Sequence, residues 1–187
     1  MKNASHVHSV HFYDDDHALI QRLQSIFASS LRAGHSVLLV ATEEHRQQLA
    51  VSLKRLGIDS TTLKDRYRAF DAHEVLSKFM FNDMPDPQLF LSSVGKLVCS
   101  ERQAAADHGT SLTVFGEMVA ILWNEGNKSG ALALERLWND LLHDRAFHLH
   151  CAYPRRILVD DSELTIQSIC DEHSSVLGIP ARQRDVA

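Results

Sequence analysis

The sequence predicts an α/β domain with a mostly parallel central sheet and helices on both faces. Three observations predict it. Short apolar runs alternate along the chain with long amphipathic ones. One short run, Val37 to Ala41, is apolar at every position, as a strand covered on both faces must be. Capping residues and glycines stand at the joints between runs, and strands separated by helices imply βαβ crossovers.

Each element can be justified in turn. Val7 to Tyr13 reads as the first strand. Asp16 is placed to cap the helix that follows, and Leu19, Leu23, Ile26, Phe27 and Leu31 line one face of it. Gly34 suits the left-handed position just past that helix. After the strand 37–41, Thr42 opens a second helix with Glu43 and Glu44 in its positive first turn, and Gly57 ends it. Arg66 to Phe70 is a weaker strand. Asp71 and Glu74 have capping-box spacing and open a helix reaching Phe81. Asn82 to Pro87 is a turn-rich break. Asp86-Pro87 starts the next helix, with Phe90, Val94, Leu97 and Val98 on its apolar face and its end before Gly109. Leu112 to Phe115 is a strand, Met118 to Trp123 a helical turn, and 126–130 a loop. Leu134, Leu137, Trp138, Leu141 and Leu142 form a helical stripe. Phe147 to Tyr153 is the last strand, and Ser162 to Ser174 a final helix. One domain is expected over 1–180, with a disordered tail at 181–187.

Composition narrows the function. The chain of 187 residues is 44% hydrophobic and 23% charged, an ordinary globular balance. Its formal net charge of -5 and lack of a Lys/Arg run argue against nucleic acid, which demands a basic face. Three irregularly spaced cysteines suggest no disulfide framework. The polar start, Met1 to Ser9, has no apolar signal core, and no apolar stretch is long enough to span a bilayer. The expected compartment is the reducing cytoplasm.

Parallel sheets bind ligands beyond the carboxyl ends of their strands. Here those ends are Asp14 to His17, Thr42 to Glu43, Asp71, Gly116 to Glu117, and Tyr153. A phosphate loop needs two glycines five apart followed by Lys and Ser or Thr, and none of the eight glycines is so paired. Gly126-Asn127-Lys128-Ser129-Gly130 resembles one superficially but follows a helical turn. Asp14, Asp15 and Asp16 stand where a cradle would follow the first strand. They are a helix cap with two solvated acids, or carboxylates for a bridging Mg²⁺. His148, His150 and Cys151 could give part of a zinc site, with His6 and His8 repeating the alternation, but hydrogen-bonded histidines are the preferred reading and no metal is expected. Glu117 is either a polar anchor or general base, or the cap of the next turn. Trp123 and Trp138 fill a core, line an apolar pocket, or do both.

Several segments together resemble one family. They are His11-Phe12-Tyr13-Asp14-Asp15-Asp16 with the helix ending Leu31-Arg32-Ala33-Gly34; Ala41-Thr42-Glu43-Glu44-His45-Arg46; and Tyr67 to Glu74 with Phe79-Met80 and Pro85-Asp86-Pro87. Val114-Phe115-Gly116-Glu117-Met118-Val119 with Leu122-Trp123 is the most specific. Leu134-Glu135-Arg136-Leu137-Trp138-Asn139-Asp140-Leu141, Cys151-Ala152-Tyr153-Pro154, and Cys170, Glu172-His173-Ser174 and Val176 complete the set. In this order and spacing they resemble the MEDS (methanogen/methylotroph DcmR sensory) family. The resemblance implies a three-layer domain related to RecA- and KaiC-like ATPases whose phosphate loop has degenerated. It implies a sensory role in prokaryotic signalling, small hydrocarbon derivatives as ligands, and output through histidine kinases or transcription regulators. The likeness fills the chain from His6 to Ile179, so no output domain is expected within it.

The resulting expectation is a non-catalytic sensor without a cofactor. Tyr13, Phe115, Met118, Trp123 and Tyr153 would give apolar contact to a small molecule; Asp14, Glu117 and His17 would orient its polar group. A partner kinase or regulator would receive the signal, with no contact to nucleic acid or membrane, and a homodimer is left open. The alternatives are a residual Mg²⁺-dependent ATPase and a ligand-free interaction scaffold.

Overall fold

The structure is a computed structural model that describes residues 7–178 except 60, 64 and 145–146; the tail at 181–187 lies outside the described residues. Its centre is a six-stranded sheet in the order β3-β2-β6-β7-β1-β8. The strands are β1 (Val7–Tyr13), β2 (Ser36–Ala41), β3 (Tyr67–Asp71), β6 (Leu112–Gly116), β7 (His148–Pro154) and β8 (Ser175–Leu177). All of their pairings are parallel. A two-stranded antiparallel ribbon, β4 (Met80–Phe81) and β5 (Met84–Pro85), stands apart.

The helices form two outer layers. On one face lie α1 (Asp16–Arg32) and α2 (Glu43–Arg55), which bury Leu19, Leu23, Phe27, Leu49 and Leu53 against Val37, Leu39 and Phe115. On the other lie α3 (Ala72–Leu76), α4 (Pro87–Phe90), α5 (Lys96–Asp107), α6 (Met118–Asn124), α7 (Lys128–Asp144) and α8 (Glu163–Asp171). Trp138, Phe79, Phe90 and Tyr153 fill the core of that face and are fully buried. Phe90 meets both Phe79 and Trp138 edge to face at 5.3 Å between centroids. The three-layer α/β arrangement expected from the alternating runs is present. Among the described residues no helix is long and apolar enough to cross a membrane.

The structure differs from the sequence reading in several local places. Asp15, not Asp16, caps α1: its carboxylate accepts from Ala18 N at 2.8 Å. The helix expected from Asp71 to Phe81 ends at Leu76, because Met80–Phe81 turns back through Asn82 and Asp83. Both have positive φ (49° and 61°), the pair of left-handed residues a two-residue hairpin requires. The helix after Asp86 contains a π-helical turn, Leu91–Gly95. There Ser92 and Ser93 hydroxyls both donate back to the Leu89 carbonyl, competing with the regular ladder. Finally, the helix expected over 162–174 stops at Asp171, and a strand the sequence did not suggest, β8, follows at Ser175 against β1.

Candidate functional site

The chain leaves β2 through α2 on one face of the sheet and leaves its neighbour β6 through α6 on the other. Adjacent strands that exit to opposite faces open a crevice at their carboxyl ends, the place where open parallel sheets bind ligands. Glu117, the first residue after β6, sits at this crevice. Its backbone N–H donates to the Val40 carbonyl at 2.9 Å, which continues the ladder one step and aims the side chain at the start of α2.

There the Glu117 carboxylate accepts from the Thr42 backbone N–H at 2.8 Å and from the Thr42 hydroxyl at 3.3 Å. Its second oxygen lies 2.8 Å from His45 Nδ1. Glu117 is 6% exposed, so the three contacts are what make a buried carboxylate tolerable. The carboxylate thus occupies the positive N-terminus of α2, where an anionic ligand would otherwise dock.

His45 carries the arrangement across the crevice. Its Nε2 stands 3.5 Å from Asp16 Oδ1, and that same oxygen is 3.7 Å from Arg156. Burial pulls the His45 pKa down, but Glu117 and then Asp16 outweigh it and raise it above 6.5. The Tyr13 hydroxyl is pushed strongly up, first by burial and then by Glu117 and Asp16, and stays protonated. Asp16 Oδ1 is buried without a hydrogen-bond partner among the described residues.

Tyr13, Asp16, Thr42, His45, Glu117 and Arg156 line a cleft of 270 Å³. That is just under the range of pockets for drug-sized ligands, so it suits a molecule of few atoms. A larger open groove of 920 Å³ adjoins it; His73 and Glu125 border both. The groove includes Asn82 of the β4–β5 turn and Gly126-Asn127. The Asn127 side chain accepts from Gly130 N at 2.9 Å and donates to the Asp83 carbonyl. The expected loop 126–130 is therefore mostly helix: only Gly126 and Asn127 precede α7, Asn127 caps it and ties it to the hairpin, and the segment follows a helix rather than a strand.

Of the residues expected to bind, Tyr13 and Glu117 line the cleft. The others stand elsewhere for identifiable reasons. Asp14 points outward and pairs with Arg155 at 2.6 Å. His17 is on the exposed face of α1, 2.8 Å from Gln21. Phe115 projects under α1 and Met118 into the opposite core. Trp123 is buried, donating to Asp161 at 2.8 Å and meeting Tyr153 edge to face. Tyr153 is itself fully buried and donates to Glu135 at 2.9 Å. Sequence reasoning missed His45 and Arg156 as cleft residues, and it placed Asp16 at a strand end without including it in the binding set. Asp16 was absorbed into a capping role, and nothing in the helical spacing of His45 or the loop position of Arg156 shows that they meet Glu117. His148 and His150 do not join Cys151, because strand alternation puts the two imidazoles toward α1 and the thiol toward α7. His150 bonds Ser9 Oγ, and burial with repulsion from His148 lowers its pKa to about 4.

A search of curated proteins finds no match. A family model does match, over residues 7–173: MEDS, the MEthanogen/methylotroph, DcmR Sensory domain. The match spans every strand but β8 and every residue of the cleft, and on that extent the chain belongs to the MEDS family of sensory domains.

Proposed function

We propose that the chain is a non-catalytic cytoplasmic sensor that binds a small hydrocarbon derivative in the switch-point cleft and signals to a partner kinase or transcription regulator. The observation that carries this reading is Asp16 Oδ1, which faces His45 at 3.5 Å and Arg156 at 3.7 Å across a small cleft but accepts no hydrogen bond among the described residues. A carboxylate oxygen held only by these two longer ion pairs keeps acceptor capacity for a ligand bearing an O–H or N–H. Tyr13 and Ile121 supply apolar wall, which suits a short carbon chain behind that donor.

Nucleotide is disfavoured by the same geometry. Glu117 already fills the helix terminus a phosphate would seek, and Asp16 adds a second negative charge. The acidic turn after β1 is consistent with descent from a RecA- or KaiC-like ATPase that lost its phosphate loop. Signalling requires that the ligand favour one of two states. The groove beside the cleft shares His73 and Glu125 with it, which gives ligand occupancy a route to a partner-facing surface.

The test is NMR titration of the full chain with short-chain alcohols and amines. Shifts should concentrate at Tyr13, His45 and Glu117. Glu117→Gln should weaken binding at least tenfold, by removing the charge that orients His45, while the spectrum stays dispersed. Shifts confined to other surfaces, or ATP turnover abolished by Glu117→Gln, would overturn the reading.

A further inference from the structure

A second cluster lies far from the cleft mouth, between the sheet and α7. Four side chains from separate parts of the chain converge there: His8 of β1, Glu135 of α7, Cys151 of β7 and His173 just after α8. One ligating atom from each lies within 4.8 Å of all the others. None reaches solvent: Glu135 is 0% exposed, Cys151 1%, His8 3%, and the His173 side chain 0%.

The two imidazoles are oriented alike. His173 Nδ1 is 2.7 Å from the Ile169 carbonyl, which can only accept, so Nδ1 carries the proton. His8 Nδ1 is 2.8 Å from Asn139 Oδ1. The Asn139 amide nitrogen is committed to Glu172, donating to its carbonyl at 3.0 Å and its carboxylate at 3.1 Å, which fixes the oxygen toward His8. Both rings therefore present Nε2 to the same centre. This is the outer support that metal-bound histidines characteristically have. Without a metal, His173 Nε2 is a buried atom with no hydrogen-bond partner among the described residues.

The spacing fits a particular geometry. Metal bonds of about 2.0–2.3 Å at tetrahedral angles put neighbouring donors about 3.3–3.6 Å apart. His8 Nε2, Cys151 Sγ and Glu135 Oε2 fall at this spacing, 3.3, 3.4 and 3.5 Å from one another; His173 Nε2 lies 3.5 Å from the other oxygen, Oε1, and completes a set whose ligating atoms all lie within 4.8 Å. The two nitrogen–oxygen separations are long for hydrogen bonds of an ion pair, while the two sulfur contacts have the length of ordinary thiol hydrogen bonds. We infer that His8, Glu135, Cys151 and His173 form a closed structural site for a divalent transition metal, zinc by its donor set. A thiolate with two imidazoles excludes magnesium and calcium, which take oxygen ligands. Four protein donors without access for water make the site structural rather than catalytic. Tyr153 and Asn139 are its positioning residues, holding Glu135 and His8.

The experiment is elemental analysis of the full chain as purified, followed by chelation and titration with Co²⁺ alone. The expected result is one equivalent of zinc per chain. Co²⁺ should then give tetrahedral visible bands and a thiolate-to-metal charge-transfer band. Cys151→Ser should lose that band, and Asn139→Ala should keep it with Co²⁺ affinity about 10- to 100-fold weaker. Should Cys151→Ser not fold, the charge-transfer band of the unaltered chain decides alone. A folded chain that carries no metal and shows no thiolate band with Co²⁺ overturns the inference. So does undiminished metal content in folded Cys151→Ser and His173→Gln variants. Alcohol binding at the cleft is scored separately, so either proposal can fail without the other.

Discussion

Two histidines on opposite sides of β6 bind protons in opposite senses, and their signs give a testable stability profile. The pKa of His45 is raised, so the folded chain holds its proton more tightly than the unfolded one. That stabilisation is complete below about 6.5 and is lost as pH climbs through the raised value. The pKa of His150 falls to about 4, so its neutral form is favoured by folding; the contribution is present above 6.5 and lost as pH falls toward 4. At 1.36 kcal/mol per unit the His150 contribution is about 3–4 kcal/mol. Tm measured against pH should therefore peak near neutrality. His45→Gln should flatten the alkaline limb. His150→Gln should flatten the acid limb in part, since burial also lowers His11 and His148. An acid limb unchanged in His150→Gln would remove His150 from this role. At this scale the site was half legible in the sequence. Glu117 directly follows a recognisable strand, and Tyr13 ends another, so strand ends alone point to them. His45 and Arg156 meet them only through the order of strands, which no local pattern contains.

At the scale of elements, the shortest strand of the six-stranded sheet ends tightly against its neighbour. Gly178 follows β8 with φ +69°, and a Cβ there would meet the Phe12 carbonyl oxygen at 2.5 Å. Arg155 also donates to the Gly178 carbonyl at 3.0 Å. Gly178→Ala should detach the end of β8 from β1 and cost about 1–3 kcal/mol, read by denaturant unfolding with faster amide exchange at Val10 and Val176. On the opposite layer, Trp138→Ala would empty the centre of α7's contact with Phe90 and Gly116 and should cost about 3–5 kcal/mol. The long elements were readable because their apolar period runs unbroken: β2 is buried at all six positions, and α7 shows its stripe plainly. Three-residue β8 and the two-residue arms of the ribbon are too short for any period to register. Their existence depends on a neighbouring strand and on left-handed Asn82 and Asp83, both supplied by tertiary context. The π turn escaped notice for a similar reason, since serines inside a helix signal only a weak preference until their hydroxyls find a carbonyl.

For the whole molecule, the two proposed sites lie at different depths of one sheet and share one connection. Tyr153 holds Glu135 of the buried cluster, while the next residue, Pro154, lines the cleft. The strand order has a further consequence. β1 pairs only with β7 and β8, and its first partner, His148, lies 141 positions farther along the chain. On a ribosome β1 emerges before the other strands of this sheet and finds its neighbours last. Until β7 has cleared the exit tunnel, β1 and β6 both present bare edges, and His8 waits without its companions. Folding of the sheet's centre therefore waits for β7, and a nascent chain stalled before β7 emerges would be open to proteases and to chaperones throughout that interval.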